Sequence, residues 1–137
     1  MTNRTTPDIV YKLEKNEIFV FGSNLLGRHG AGAAKTAMIK FGAIYGQASG
    51  IQGKSYGIPT KGYTMKQILS TSEIKVHVDR FIEFAKQDYR TFLVTEIGCG
   101  LSRYEPKDIA PLFIDAINVE NIYLPKRFLY ELRSLLS

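Results

Sequence analysis

Between Phe21 and Lys35 the chain reads FGSNLLGRHGAGAAK: four glycines, one asparagine, one histidine and two cations, with no carboxylate. Such a stretch leaves backbone N–H groups bare and the local charge positive, which suits contact with an anion. It follows EIFV, which reads as a buried strand, and runs into AAKTAMIKF, which reads as a helix. Gly30 and Gly32 therefore stand where a helix begins, with its free N–H groups and positive dipole end directed at the loop. Asn24 can donate and accept, which matches the vicinal hydroxyls of a sugar. His29 is the one acid–base residue of the loop, since imidazole is the side chain suited to proton exchange near neutral pH. The plainer account is that the glycines permit a tight turn, Asn24 caps it and His29 faces solvent.

A second stretch with chemical content is TEIGCGLSRYEP, Thr95–Pro106. Two glycines flank Cys99 at the end of a strand, and consecutive N–H groups in such a turn can form a concave nest for a diphosphate. Tyr104 would then wall a ribose or a ring. The plainer account makes Leu101 and Tyr104 core lids and Arg103 a surface charge. A nucleophilic Cys99 would need a lowered pKa and a nearby base such as His29, whereas small cysteines between glycines are commonly buried and inert. His77 falls on a helix and reads as a surface or packing residue. ASGIQGKS, Ala48–Ser55, resembles a phosphate-binding Walker loop, but Ala48 replaces the first glycine and the stretch leads into a strand instead of a helix.

The surrounding composition points the same way as the two loops. No Asp or Glu occurs between Glu17 and Glu73, an interval that holds ten of the twelve glycines together with Arg28, Lys35, Lys40, Lys54, Lys61 and Lys66. An anion-binding face follows, for a nucleotide, a phosphorylated sugar or a nucleic-acid backbone. With 137 residues the chain reads as a single domain, 1–137, and no apolar run is long enough for a membrane span. The N-terminus lacks the apolar core of a secretory signal, and one cysteine rules out an internal disulfide, so a cytoplasmic location is expected. No zinc-ligand spacing is present, and neither a metal nor a cofactor is expected.

To position both loops the chain offers strands at Ile18–Phe21, Ser55–Pro59, Phe92–Thr95 and Asn121–Leu124, with a weaker one at Ile9–Leu13. Helices are expected over Ala31–Phe41, over Ser72–Gln87 with Ser72 as a cap, over Lys107–Ile117, and over Lys126–Leu136 with Phe128, Leu132 and Leu135 facing inward. Pro111 threatens the third and suggests one turn followed by a fresh start. Strands alternating with helices give an α/β fold, a mixed, mostly parallel sheet with helices on both faces. In such sheets ligands bind outside the carboxyl ends of the strands, which selects the same two loops.

In this order and spacing the loops resemble those of macrodomains, the α/β modules that bind ADP-ribose. The likeness lies in VFGSNLLGRHGAGAA, in IGCGLSRY and in SYGIPTK, Ser55–Lys61, a segment similar to one found in short bacteriophage proteins of this kind. It covers most of Ile18–Leu124 and implies a three-layer α/β/α macrodomain-like fold. GAGAA and IGCGL are similar to the branch that removes ADP-ribose from nucleic acid or from glutamate side chains.

Carried over residue by residue, Asn24 would hold the distal ribose, with Gly22, Ser23, Arg28, Gly30, Ala31 and Gly32 around it. Gly98, Cys99, Gly100, Leu101 and Ser102 would offer N–H groups to the diphosphate, with Arg103 and Tyr104 alongside. Asp8 of PDIV would bind adenine, although Pro7 stands where the family has glycine. Lys61 matches a lysine that one branch uses to attack the ribose C1″, a role that needs a lowered pKa, which the surrounding cations would favour. The acidic partner of that branch is replaced here by Ser102. The resemblance implies hydrolysis of an ADP-ribose derivative at the distal ribose, by phosphate-ester or glycosidic cleavage, with Asn24, His29 and Lys61 as catalytic groups. Two rivals remain: a module that captures ADP-ribose-type nucleotides without turnover, and a nucleic-acid-binding domain. ADP-ribosylated macromolecules would be further partners, and the location would be the host cytoplasm for a phage-encoded chain.

Overall fold

A computed structural model of the chain describes residues 4–64 and 66–137; residues 1–3 of the N-terminal stretch read above lie outside it. Strand β2, Glu17–Asn24, shows why the layers form. Its side chains alternate between two apolar clusters: Ile18 and Val20 join one, Phe19 and Phe21 the other. A strand buried on both faces needs helices above and below it. The order in the sheet is β1-β6-β5-β2-β4-β3, where β1 is Thr5–Thr6, β3 Gly50–Gln52, β4 Ser55–Lys61, β5 Thr91–Val94 and β6 Ile122–Pro125. All neighbours run parallel except β3, which is antiparallel to β4.

Helix α1, Gly32–Lys40, covers one face with Ala34, Ala37, Phe41 and the preceding Val10. The other face carries α2, Thr71–Lys86, a 3-10 helix at Ala110–Ala116, and α4, Lys126–Leu136, around Phe81, Phe92, Phe113 and Phe128. The fold is therefore a three-layer α/β/α arrangement with a mostly parallel sheet.

Several local expectations are corrected. Ile9–Leu13 is not a strand; the edge strand is Thr5–Thr6, and Pro7, which has no N–H for a ladder, ends it. Ser70, not Ser72, caps α2, because Glu73 three residues on completes a reciprocal pair with it. Pro111 splits the Lys107–Ile117 segment into α3, Pro106–Ile109, and the 3-10 helix. Leu135 is exposed. The Walker-like GKS is the hairpin turn between β3 and β4: Gly53 takes φ +60°, where a Cβ would come within 2.6 Å of the Gly42 carbonyl, and Lys54 Nζ donates to Glu14 O. No helix among the described residues is long and apolar enough to cross a membrane.

Candidate functional site

Because β2, β4 and β5 are parallel neighbours, their carboxyl ends lie on one edge of the sheet, and the loops that leave β2 and β5 meet there. Between them lies a cavity of about 460 Å³. The loops face each other closely: a Cβ on Gly22 would stand 3.5 Å from the N–H nitrogen of Gly98. A bulge in the β2–β4 pairing, between Ser23 and Asn24, shapes the floor. Thr60 and Lys61, at the end of β4 beside that irregularity, both line the cavity.

The first loop is held by its own side chains. Asn24 Nδ2 donates to Arg28 O at 2.8 Å, and Asn24 Oδ1 accepts from Arg28 N at 3.0 Å. One N–H and one lone pair of the amide stay free, so Asn24 reaches the cavity with half of its hydrogen-bonding capacity. Gly27 takes φ +68° and approaches Gly46, whose N–H donates to its carbonyl at 2.8 Å. Helix α1 then starts from Ala31 with no side-chain cap and no acid in its first turn. Gly30, Ala31, Gly32, Ala33 and Ala34 line the cavity, and among the described residues none of their N–H groups has a protein acceptor.

His29 corrects the acid–base expectation. It is fully buried and does not line the cavity. Its Nε2 lies 2.9 Å from Ile44 O and 3.2 Å from Gln52 Oε1, two acceptors, so that nitrogen carries the proton and donates. Its ring stands edge-on to Phe21, with centroids 5.2 Å apart. Histidine here ties the first loop to the 44–52 segment instead of facing a substrate.

In the second loop Gly98 takes φ +75°, and a Cβ there would meet Ile109 at 3.0 Å. Gly98, Gly100, Leu101 and Ser102 line the cavity with N–H groups that have no acceptor among the described residues. Three neighbours do not join them. The Cys99 N–H donates to Glu96 O, the Arg103 N–H to Gly100 O and the Tyr104 N–H to Gly98 O. Cys99 turns toward the core, where burial, and then the charge of Glu96, push its thiol up to about 11. Arg103 folds the turn at φ +63°. Tyr104 spends its hydroxyl on Leu69 O at 2.6 Å and packs beneath the loop, so it is no wall for a ribose. Ser102 Oγ lies 2.8 Å from Thr60 Oγ1 and joins this loop to β4.

The charges around the cavity are few. Lys61 is 8% exposed, and its ammonium has no hydrogen bond or ion pair among the described residues. An ammonium without a protein partner is open to an anion in the cavity. Arg28 lines the mouth with its guanidinium also unpaired. Glu96 is the one carboxylate; Arg127 Nε and Nη2 donate to its two oxygens at 2.6 and 2.7 Å, and those bonds hold its carboxyl below the usual range. Ala33, Thr95 and Glu96 are shared with a second cavity of about 690 Å³. That outer cavity contains Asp8, together with Thr6, whose buried hydroxyl has no partner among the described residues.

The structure thus brings Asn24, Lys61, Arg28, both helix-entry glycines and most of the second loop to one cavity, puts Asp8 in the adjoining one, and leaves His29, Cys99, Arg103 and Tyr104 outside both. Thr60, Tyr45 and Glu96 line the first cavity without having been singled out. Glu96 had a signal, since it directly follows a strand end on the ligand side. Thr60 comes from the end of β4 and Tyr45 from a distant loop, and neither announces itself in the chain. Compared with known proteins, the chain matches no family model, no curated protein and no solved structure.

Proposed function

We propose that this chain binds ADP-ribose or a related NAD-derived nucleotide, with the diphosphate and distal ribose in the inner cavity and adenosine in the outer one. A single observation carries the reading: two sets of N–H groups without an acceptor among the described residues, from the start of α1 and from Gly98, Gly100, Leu101 and Ser102, belong to residues lining the same cavity as Lys61. Diphosphate oxygens would take those donors, and charge-assisted bonds of this kind are the strong ones. Asp8 supplies a polar contact for a base in the outer cavity.

Turnover at the distal ribose, as hydrolysis of ADP-ribose 1″-phosphate, is the fuller form of the proposal. Lys61 and the N–H groups would stabilise charge on the transferred phosphate while water attacks phosphorus and the ribose oxygen leaves. Glycosidic attack by Lys61 has less support, since Ser102 is a hydroxyl tied to Thr60 and Glu96 is held by Arg127. Capture without turnover is the second reading, favoured by the burial of His29 away from the cavity. ADP-ribose attached to a macromolecule remains a candidate ligand, because the cavity opens beside the exposed Tyr45 and Leu101.

Titration calorimetry with ADP-ribose should give saturable one-to-one binding, weakened tenfold or more in Lys61→Ala, in keeping with about 1.5–3 kcal/mol for a bond to a charged group. No saturable binding to a folded protein would end the proposal and return the acid-free face to nucleic acid. Phosphate release from ADP-ribose 1″-phosphate then separates enzyme from capture module.

A further inference from the structure

Glu96, the one carboxylate in a cavity otherwise suited to anions, stands in the wall common to both cavities. Arg127, the second residue of α4, lines the outer cavity but not the inner one and grips both carboxylate oxygens. Each oxygen keeps a lone pair while so held, so Glu96 can still accept from a hydroxyl. The formal charges divide unevenly. In the outer cavity Asp8 and Glu96 balance Lys126 and Arg127, whereas in the inner one Arg28 and Lys61 face Glu96 alone. Phosphate therefore belongs inside, and the outer cavity has no surplus of positive charge for a second one.

A nucleotide with its diphosphate inside and its base outside must carry the connecting ribose across this wall. We infer that Glu96 is a specificity-determining residue that accepts a hydrogen bond from the 2′- or 3′-hydroxyl of that ribose and excludes a sugar phosphorylated there. The ligand class is then NAD-derived and not NADP-derived nucleotides. This rests on the binding reading above and adds to it a prediction about one sugar position.

The test is calorimetry of the full chain with ADP-ribose and with 2′-phospho-ADP-ribose, for wild type and Glu96→Gln. Wild type should bind the phosphorylated nucleotide at least about tenfold more weakly, since like charges set side by side are strongly disfavoured. In Glu96→Gln the preference should shrink to about threefold or reverse, because Arg127 is freed to meet the phosphate. A residue with a merely structural role would weaken both nucleotides alike and leave their ratio unmoved. Equal binding of the two by wild type, or an unchanged ratio in the folded variant, overturns the inference and leaves the binding reading standing. Failure of wild type to bind either nucleotide overturns both. Arg127→Ala serves as a second variant: it should widen the preference, and an unchanged ratio there counts equally against the inference.

Discussion

Helix α2 starts from Ser70, whose hydroxyl accepts from Glu73 N at 3.1 Å while Glu73 Oε1 accepts from Ser70 N at 2.9 Å. It continues with a Lys75–Asp79 pair and buries Ile74, Val78, Phe81, Ile82 and Ala85. Helix α1, on the opposite face of the sheet, starts from an alanine, has no acid in its first turn and buries only Ala34 and Ala37. Every device that stabilises the start of α2 is missing from α1. The difference has a steric and electrostatic reason. A capping side chain or an acid at the start of α1 would occupy the donors that line the cavity and would cancel the positive end of the helix. One helix satisfies itself; the other leaves its first donors without an acceptor among the described residues.

The largest test of that contrast is Lys61→Met. It should lower ADP-ribose affinity by tenfold to a hundredfold, by the loss of a charge-assisted contact. The ligand-free protein should meanwhile melt no lower, because the lysine makes no hydrogen bond or ion pair among the described residues that methionine would lose. A lower melting temperature would show that Lys61 supports the fold and break the contrast. A smaller pair of effects comes from exchanging the two helix starts. Ala31→Asp should cap α1 and stabilise the protein by roughly 1 kcal/mol while weakening nucleotide binding several-fold, and Ser70→Ala should remove about 1 kcal/mol and leave binding untouched. Thermal melts and calorimetry on both variants check this; tighter binding by Ala31→Asp would mean that the α1 donors do not face the anion.

The smallest effect is one of pH. The bonds from Ser70 hold the Glu73 carboxyl below its ordinary 4.5. A depressed carboxylate contributes above its unfolded value, and that contribution fades as pH falls through the folded one. Acid should therefore loosen the first turn of α2 and leave α1 unaffected, which has no carboxylate in its first turn to lose. Amide chemical shifts of Ser70 and Ala33 followed below pH 4.5 would separate the two; equal movement would contradict the contrast.

Much of the scaffold was legible in the chain because periodicity is local. The four main strands fall within a few residues of expectation, and α4 spans Lys126–Leu136 as read. Short elements made by pairing were not legible: β1 exists because Thr5 and Thr6 meet Leu124 and Pro125, and β3 because Gly50–Gln52 folds back on β4. At the site, Lys61, Gly98 and Ser102 line the inner cavity, whereas His29 and Tyr104 do not. Both of the latter carry chemistry that the fold spends internally, on Ile44 and Gln52 in one case and on Leu69 in the other.

The sequence by itself determined an α/β chain with glycine-rich loops after two strands, the first of them free of carboxylates, since composition and apolar spacing act over a few residues at a time. Tertiary structure alone decided which polar groups remain available. A hydrogen bond is settled by which groups arrive within about 3 Å of each other. Parallel pairing of β2 with β4 and β5 set the loops face to face, the end of β4 brought Thr60 and Lys61 to the cavity between them, and α4 brought Arg127 to Glu96.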